Sequence, residues 1–114
     1  MNDNENLVKN KIKELKKGVL ELAVLKIISD RERYGYDIIE VLKSVSLATS
    51  EGTIYPLLTR LKNEGLILYK WEESDKGPPR KYYTISAKGS ELMAELLNEW
   101  KKIDTGLIKI LGGR

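Results

Sequence analysis

Apolar residues recur with a helical period up to Gly65, alternate from Ile67 to Ile85, and return to a helical period towards the end. In the first stretch Ile12, Leu15, Val19, Leu22 and Leu25 fall three or four residues apart, and Ser29-Asp30 breaks the run. Gly18 lies inside it at a cost of about 1 kcal/mol relative to Ala, which points to a kink or to close packing. Residues 1–8 are polar and are expected to form a flexible tail. After the charged turn from Asp30 to Arg33, a second helix carries Tyr36, Ile39, Leu42 and Val45. A third carries Ile54, Leu57, Leu58 and Leu61, with Ser50 as its expected N-cap and Gly65 at its C-terminal end. Pro56 removes an amide and crowds the preceding turn, so it fits only near the start of that helix.

Beyond Gly65, Ile67, Tyr69 and Trp71 alternate with Leu68, Lys70 and Glu72, and Lys81, Tyr83 and Ile85 alternate with Tyr82 and Thr84. The turn-forming run Glu73-Ser74-Asp75-Lys76-Gly77-Pro78-Pro79 between them predicts a long β-hairpin. Two strands alone are barely stable, so this hairpin must lean on the helices. Ser86 then caps a final helix in which Met93, Leu96, Trp100, Ile103, Leu107 and Ile110 follow at spacings of three and four. That is a heptad seam, the pattern of a helix that packs against a partner.

Three helices, a hairpin and a long helix predict a mainly α (α+β) fold. It is a winged helix-turn-helix with a two-stranded β-wing over residues 9–85, followed by a dimerisation helix over 86–111. With 114 residues the chain has room for one domain. It contains no His, Cys or Phe, which excludes disulfides, Cys-based zinc sites, thiol nucleophiles and His-dependent triads. No spacing gathers the remaining carboxylates and hydroxyls into a base and nucleophile, and no phosphate-binding glycine fingerprint is present. A non-enzymatic protein without cofactor or metal is therefore expected. The most apolar stretch, Val19 to Ile28, is interrupted by Glu21 and Lys26 and reaches about half a membrane span, so a cytoplasmic location with no membrane partner is expected.

The net charge is only +3, so any basic surface is local. Lys9, Lys11, Lys13, Lys16 and Lys17 stand against Glu14 in the first helix. Such a cluster reads first as a solvated helix face, and phosphate contact is the alternative. In the third helix Ser50, Thr53 and Tyr55 bring hydroxyls near the N-terminus, where phosphates are favoured, and Arg60 and Lys62 follow. The hairpin tip carries Lys76, Arg80 and Lys81 beside the stiff Gly77-Pro78-Pro79, which suits DNA-backbone or minor-groove contact.

Four stretches then resemble the PadR family of bacterial transcriptional regulators. They are Lys17-Gly18 through Glu21-Leu22, Tyr34-Gly35-Tyr36-Asp37-Ile38, Ser50-Glu51-Gly52-Thr53-Ile54-Tyr55-Pro56 and Gly77-Pro78-Pro79-Arg80-Lys81-Tyr82-Tyr83. The resemblance implies a homodimeric winged-helix repressor that binds double-stranded DNA at a palindromic operator. It implies that Ser50, Gly52, Thr53 and Tyr55 lie on the recognition helix, Tyr34 and Tyr36 on the preceding helix facing phosphates, and Arg80 and Lys81 on the wing. The single short C-terminal helix is similar to that of the smaller subgroup. In multidrug-sensing members a Trp corresponding to Trp100 lines a dimer pore that takes planar aromatic or phenolic effectors.

Plain structural roles stand beside these. Gly52 and Pro56 serve close helix packing, and Arg60 pairs with Glu64 one turn on. One of Tyr82 and Tyr83 faces the core, and one of Tyr34 and Tyr36 packs while the other reaches solvent or phosphate. Trp100 is interface core before it is a ligand platform. The competing function class is a winged helix that contacts another protein instead of DNA.

Overall fold

The computed structural model describes residues 2–47, 50–74 and 77–112. In chain order they form α1 (Asp3–Asp30), β1 (Arg33–Tyr34), α2 (Gly35–Ser44), α3 (Glu51–Asn63), β2 (Ile67–Ser74), β3 (Gly77–Ile85) and α4 (Ala87–Leu111). Helix α1 begins well before the apolar period does. Asn2 caps it by accepting the Glu5 amide at 2.8 Å, and Asp3 and Glu5 complement the positive end of its dipole, so the expected tail is helical from Asp3. Gly18 is not a site of close packing, because a Cβ there would meet nothing within 4 Å.

Helices α2 and α3 end in the same way. The Leu47 and Ser46 amides return to the Leu42 and Lys43 carbonyls, and the Leu66 and Gly65 amides to those of Leu61 and Lys62. Both pairs are Schellman closures, which need a left-handed residue after the cap. Gly65 fills that place at φ 78° without strain, while Ser46 fills it at φ 60° with a Cβ. Pro56 sits inside α3 on its exposed side and leaves the helix unbroken.

The sheet has three strands in the order β1-β3-β2, all antiparallel, one more than the two-stranded wing expected from the sequence. Strand β1 pairs Arg33 with Tyr83 and Tyr34 with Tyr82. Two residues cannot display an alternation, so this strand has no signature of its own. Across the hairpin Tyr69 faces Tyr83, Lys70 faces Tyr82, Trp71 faces Lys81 and Glu72 faces Arg80.

Leu20, Val24, Leu25 and Ile28 of α1 meet Ile38, Ile39 and Leu42 of α2 and Ile54, Leu57, Leu58 and Leu61 of α3. Ile67 and Tyr83 close this core from the sheet. The Ser86 hydroxyl fastens α4 to it, accepting from the Gly89 amide at 2.9 Å and donating to the Gly65 carbonyl at 2.6 Å. Gly89 is buried against the Leu66 carbonyl, where no Cβ would fit. Leu92, Met93 and Leu96 pack on the core, but the seam beyond them does not. Trp100, Ile103, Leu107 and Ile110 are all exposed, Ile110 to 83%. Leu7, Val8, Ile12 and Leu15 are likewise uncovered on α1, Leu15 to 75%.

Candidate nucleic-acid interface

Helix α3 buries Ile54, Leu57, Leu58 and Leu61, so helical geometry turns Gly52, Pro56, Thr59 and Asn63 outward. Ser50 holds the N-cap position, but its hydroxyl lies 3.3 Å from that of Thr53 and makes no capping bond to an amide. Gly52 stands open, with only the Ser50 hydroxyl near a built Cβ, at 3.9 Å. Close helix packing therefore does not explain this glycine.

On one side of α3 lies a cleft of about 580 Å³, walled by the start of α2, by Tyr55 and Thr59 of α3, and by the wing. Gly35 makes room for it. A Cβ at that position would sit 2.9 Å from Tyr55 Cε1, so the missing side chain lets the Tyr55 ring lie across the start of α2. Trp71, 62% exposed, and Lys81 form the wing-side wall, with the Lys81 ammonium 4.5 Å from the Tyr69 ring centre and 5.5 Å from that of Trp71. Two aromatic faces thus hold this cation in place while it remains available to an anion.

Tyr34 belongs to β1 and precedes α2, instead of lying on the helix. Its ring meets Tyr82 edge-on at 4.9 Å, its hydroxyl donates to Glu72 at 3.4 Å, and Arg80 lies 6.0 Å from its ring centre. Burial and the nearby Glu72 carboxylate push its phenol above the usual tyrosine range. Tyr36 is 55% exposed, and Glu40 beside it raises its phenol, which stays a neutral donor. The two tyrosines divide as expected. Tyr83 is the core member of the other pair and Tyr82 the half-buried one.

Arg60 finds a different partner from the one its spacing suggests. It reaches Glu21 of α1 at 2.8 Å instead of Glu64. Lys76 lies outside the described residues. The fold thus brings Tyr34, Tyr36, Tyr55, Arg80 and Lys81 around one cleft, with Ser50, Gly52, Thr53 and Arg60 on the far side of α3. Sequence reasoning missed Trp71 and Thr59 as members. The signal for Trp71 was its place opposite Lys81, which becomes visible once the hairpin register is set. Among the described residues no group of His, Cys, Asp and Glu could hold a metal ion, and no helix is long and apolar enough to cross a membrane.

Residues 24–95, which include the outward helix and the wing, match the PadR-like transcriptional regulator family. The chain belongs to that family. A PadR-like transcription factor from Bacteroides fragilis is 42% identical, superposes with a TM-score of 0.75, and is matched over 89% of this chain and 98% of that one. A PadR-like transcriptional regulator from Bacillus cereus is 41% identical with a TM-score of 0.76, over 89% and 99% of the two chains. A PadR family regulator from Eggerthella lenta is 29% identical with a TM-score of 0.80, over 95% of each. PadR-like proteins are transcriptional regulators and not enzymes, in keeping with the missing catalytic residues. The winged-helix fold expected from the sequence is the fold of these relatives.

Proposed function

We propose that this PadR-like protein is a homodimeric repressor that reads a palindromic operator and is released by a small planar aromatic or phenolic effector. The observation that carries the reading is the pairing of an open helix face with a basic, aromatic-walled wing beside it. Gly52, Thr59 and Asn63 present small or polar surface to base edges. Tyr36, Tyr55, Arg80 and Lys81 supply hydroxyls and charge to the adjoining phosphates. The dimer reading is supported by the uncovered half of α4. Trp100, Ile103, Leu107 and Ile110 continue the seam past the body of the molecule, and a second copy would bury them. Dimerisation then sets two recognition helices one DNA turn apart, about 34–36 Å.

An effector held between two copies of Trp100 would release the operator by altering that spacing, provided it binds the two dimer geometries unequally. Quenching of Trp fluorescence by a planar aromatic cation tests this part. The quenching should vanish in Trp100→Ala and persist in Trp71→Ala, and equal binding by Trp100→Ala removes the ligand site from the seam. For the reading as a whole, the experiment is titration of DNA with an Arg80→Ala/Lys81→Ala variant. Loss of two phosphate contacts should weaken binding to all sequences and lower the log–log salt slope by about 1.8 per protomer. Undiminished affinity would remove the wing from the interface.

A further inference from the structure

A second cleft, of about 610 Å³, lies on the opposite side of α3 from the wing. Thr53, Leu57 and Arg60 of α3 form one wall and Lys13, Lys16, Lys17 and Leu20 of α1 the other, and the Arg60–Glu21 pair ties the two helices together. We infer that this cleft seats the second DNA strand, so that the lysine face of α1 and the wing grip the two backbones on either side of the recognition helix. The inference rests on DNA being the partner.

Geometry carries it first. A helix with its side chains is about 10–12 Å across, and the major groove is about 12 Å wide. A recognition helix that fills the groove therefore has a phosphate backbone on each flank. The wing cleft offers Arg80 and Lys81 to one of them. The α1 cleft lies on the other flank of α3, and among the described residues it is the lysine-lined cleft on that side.

The arrangement of charge on α1 comes next. At about 100° per residue, Lys9, Lys13, Lys16 and Lys17 fall within roughly 100° of arc, while Val8, Ile12, Leu15 and Val19 fall within roughly 60° centred about 120° away. Helix α1 thus turns its lysines toward α3 beside an apolar stripe, of which Ile12 also lines the cleft. Glu14, which also lines the cleft, is drawn to Lys11 at 3.5 Å. Among the described residues Lys13, Lys16 and Lys17 have no carboxylate in salt-bridge range. These three side chains stand over about 6 Å of helix axis, a span that suits neighbouring phosphates of one strand.

The phosphate contribution does not depend on base sequence, so a mixed-sequence duplex of about three helical turns is a sufficient probe. The measurement is the slope of log K against log salt for the parent chain, for Lys13→Gln/Lys16→Gln/Lys17→Gln, for Lys16→Gln alone and for Lys11→Gln, with helix content followed by circular dichroism. At about 0.9 per contact the triple variant should lose roughly 2.7 of slope per protomer and Lys16→Gln roughly 0.9. Lys11→Gln, on the far side of α1, removes a cation that meets no phosphate and releases only Glu14, so its loss of slope should stay well below that of Lys16→Gln. A parent slope retained in the triple and single variants overturns the second backbone contact and leaves the wing reading intact. A drop in Lys11→Gln equal to that in Lys16→Gln overturns it too, since the effect would then be diffuse charge. A parent chain that binds no duplex at low salt overturns this inference together with the DNA reading.

Discussion

The core and the outer halves of the two long helices use the same residue types, Leu, Ile and Val at helical spacing, to opposite effect. Leu20, Val24, Leu25 and Ile28 of α1 are buried by α2, α3 and the sheet, whereas Ile12 and Leu15, on the same helix, are open. Likewise Leu92, Met93 and Leu96 of α4 rest on the core, and Ile103, Leu107 and Ile110 run past it. The reason is reach. A 25-residue helix extends roughly 37 Å, so one apolar stripe rests on the core at one end and runs past it at the other. The periodicity marks a stripe as apolar without saying whose surface will cover it.

The sharpest way to break that contrast is to remove matched leucines. Leu58→Ala, in the core, should lose about 2–5 kcal/mol of unfolding free energy, from lost burial and the cavity left behind. Leu107→Ala, in protein too dilute to associate, should change it by less than about 0.5 kcal/mol. Denaturant unfolding at two protein concentrations measures both. Equal losses in dilute protein would show that the outer half of α4 is covered by its own chain.

Gly89→Ala probes the junction between the two regions. The new Cβ would strike the Leu66 carbonyl and lie 2.9 Å from Ile85 Cγ1, prying the start of α4 from the sheet. A loss of about 1–3 kcal/mol is expected by thermal unfolding. A variant as stable as the parent would mean that α4 is not anchored there.

The smallest effect belongs to the turn between α2 and α3. Ser46 carries a Cβ in the left-handed region, and Ser46→Gly relieves it at the expense of a more flexible unfolded chain. A net gain of about 0.5–1 kcal/mol is expected, visible as a raised melting temperature. Any loss would mean that the serine side chain contributes more than its backbone strain removes.

Much of this fold was legible in local chemistry. Ser86 began a helix and Gly65 closed one as read, alternation marked both strands of the hairpin, and parity put Tyr82 and Tyr83 on opposite faces, of which the structure buries Tyr83. Other parts were not. The two-residue β1 is too short to carry a period, and the helical start at Asp3 depends on Asn2 and two acidic side chains instead of on apolar spacing. Of the interface residues, the hydroxyl and basic positions stood out by type. Trp71 and Thr59 did not, because each joins the cleft through elements distant in the chain.

The division follows from the range of the forces involved. Helix period, caps and turn geometry depend on residues within about a turn of one another, so the amino-acid order alone specified three helices, a hairpin, a long amphipathic helix and a chain without catalytic His or Cys. Which surfaces meet depends on packing between remote segments. Packing put Arg60 on Glu21 instead of Glu64, pressed Tyr55 over Gly35, and set the α1 lysines beside α3. A charge excess of +3, too small to name a partner when summed along the chain, thereby becomes two basic flanks around one helix.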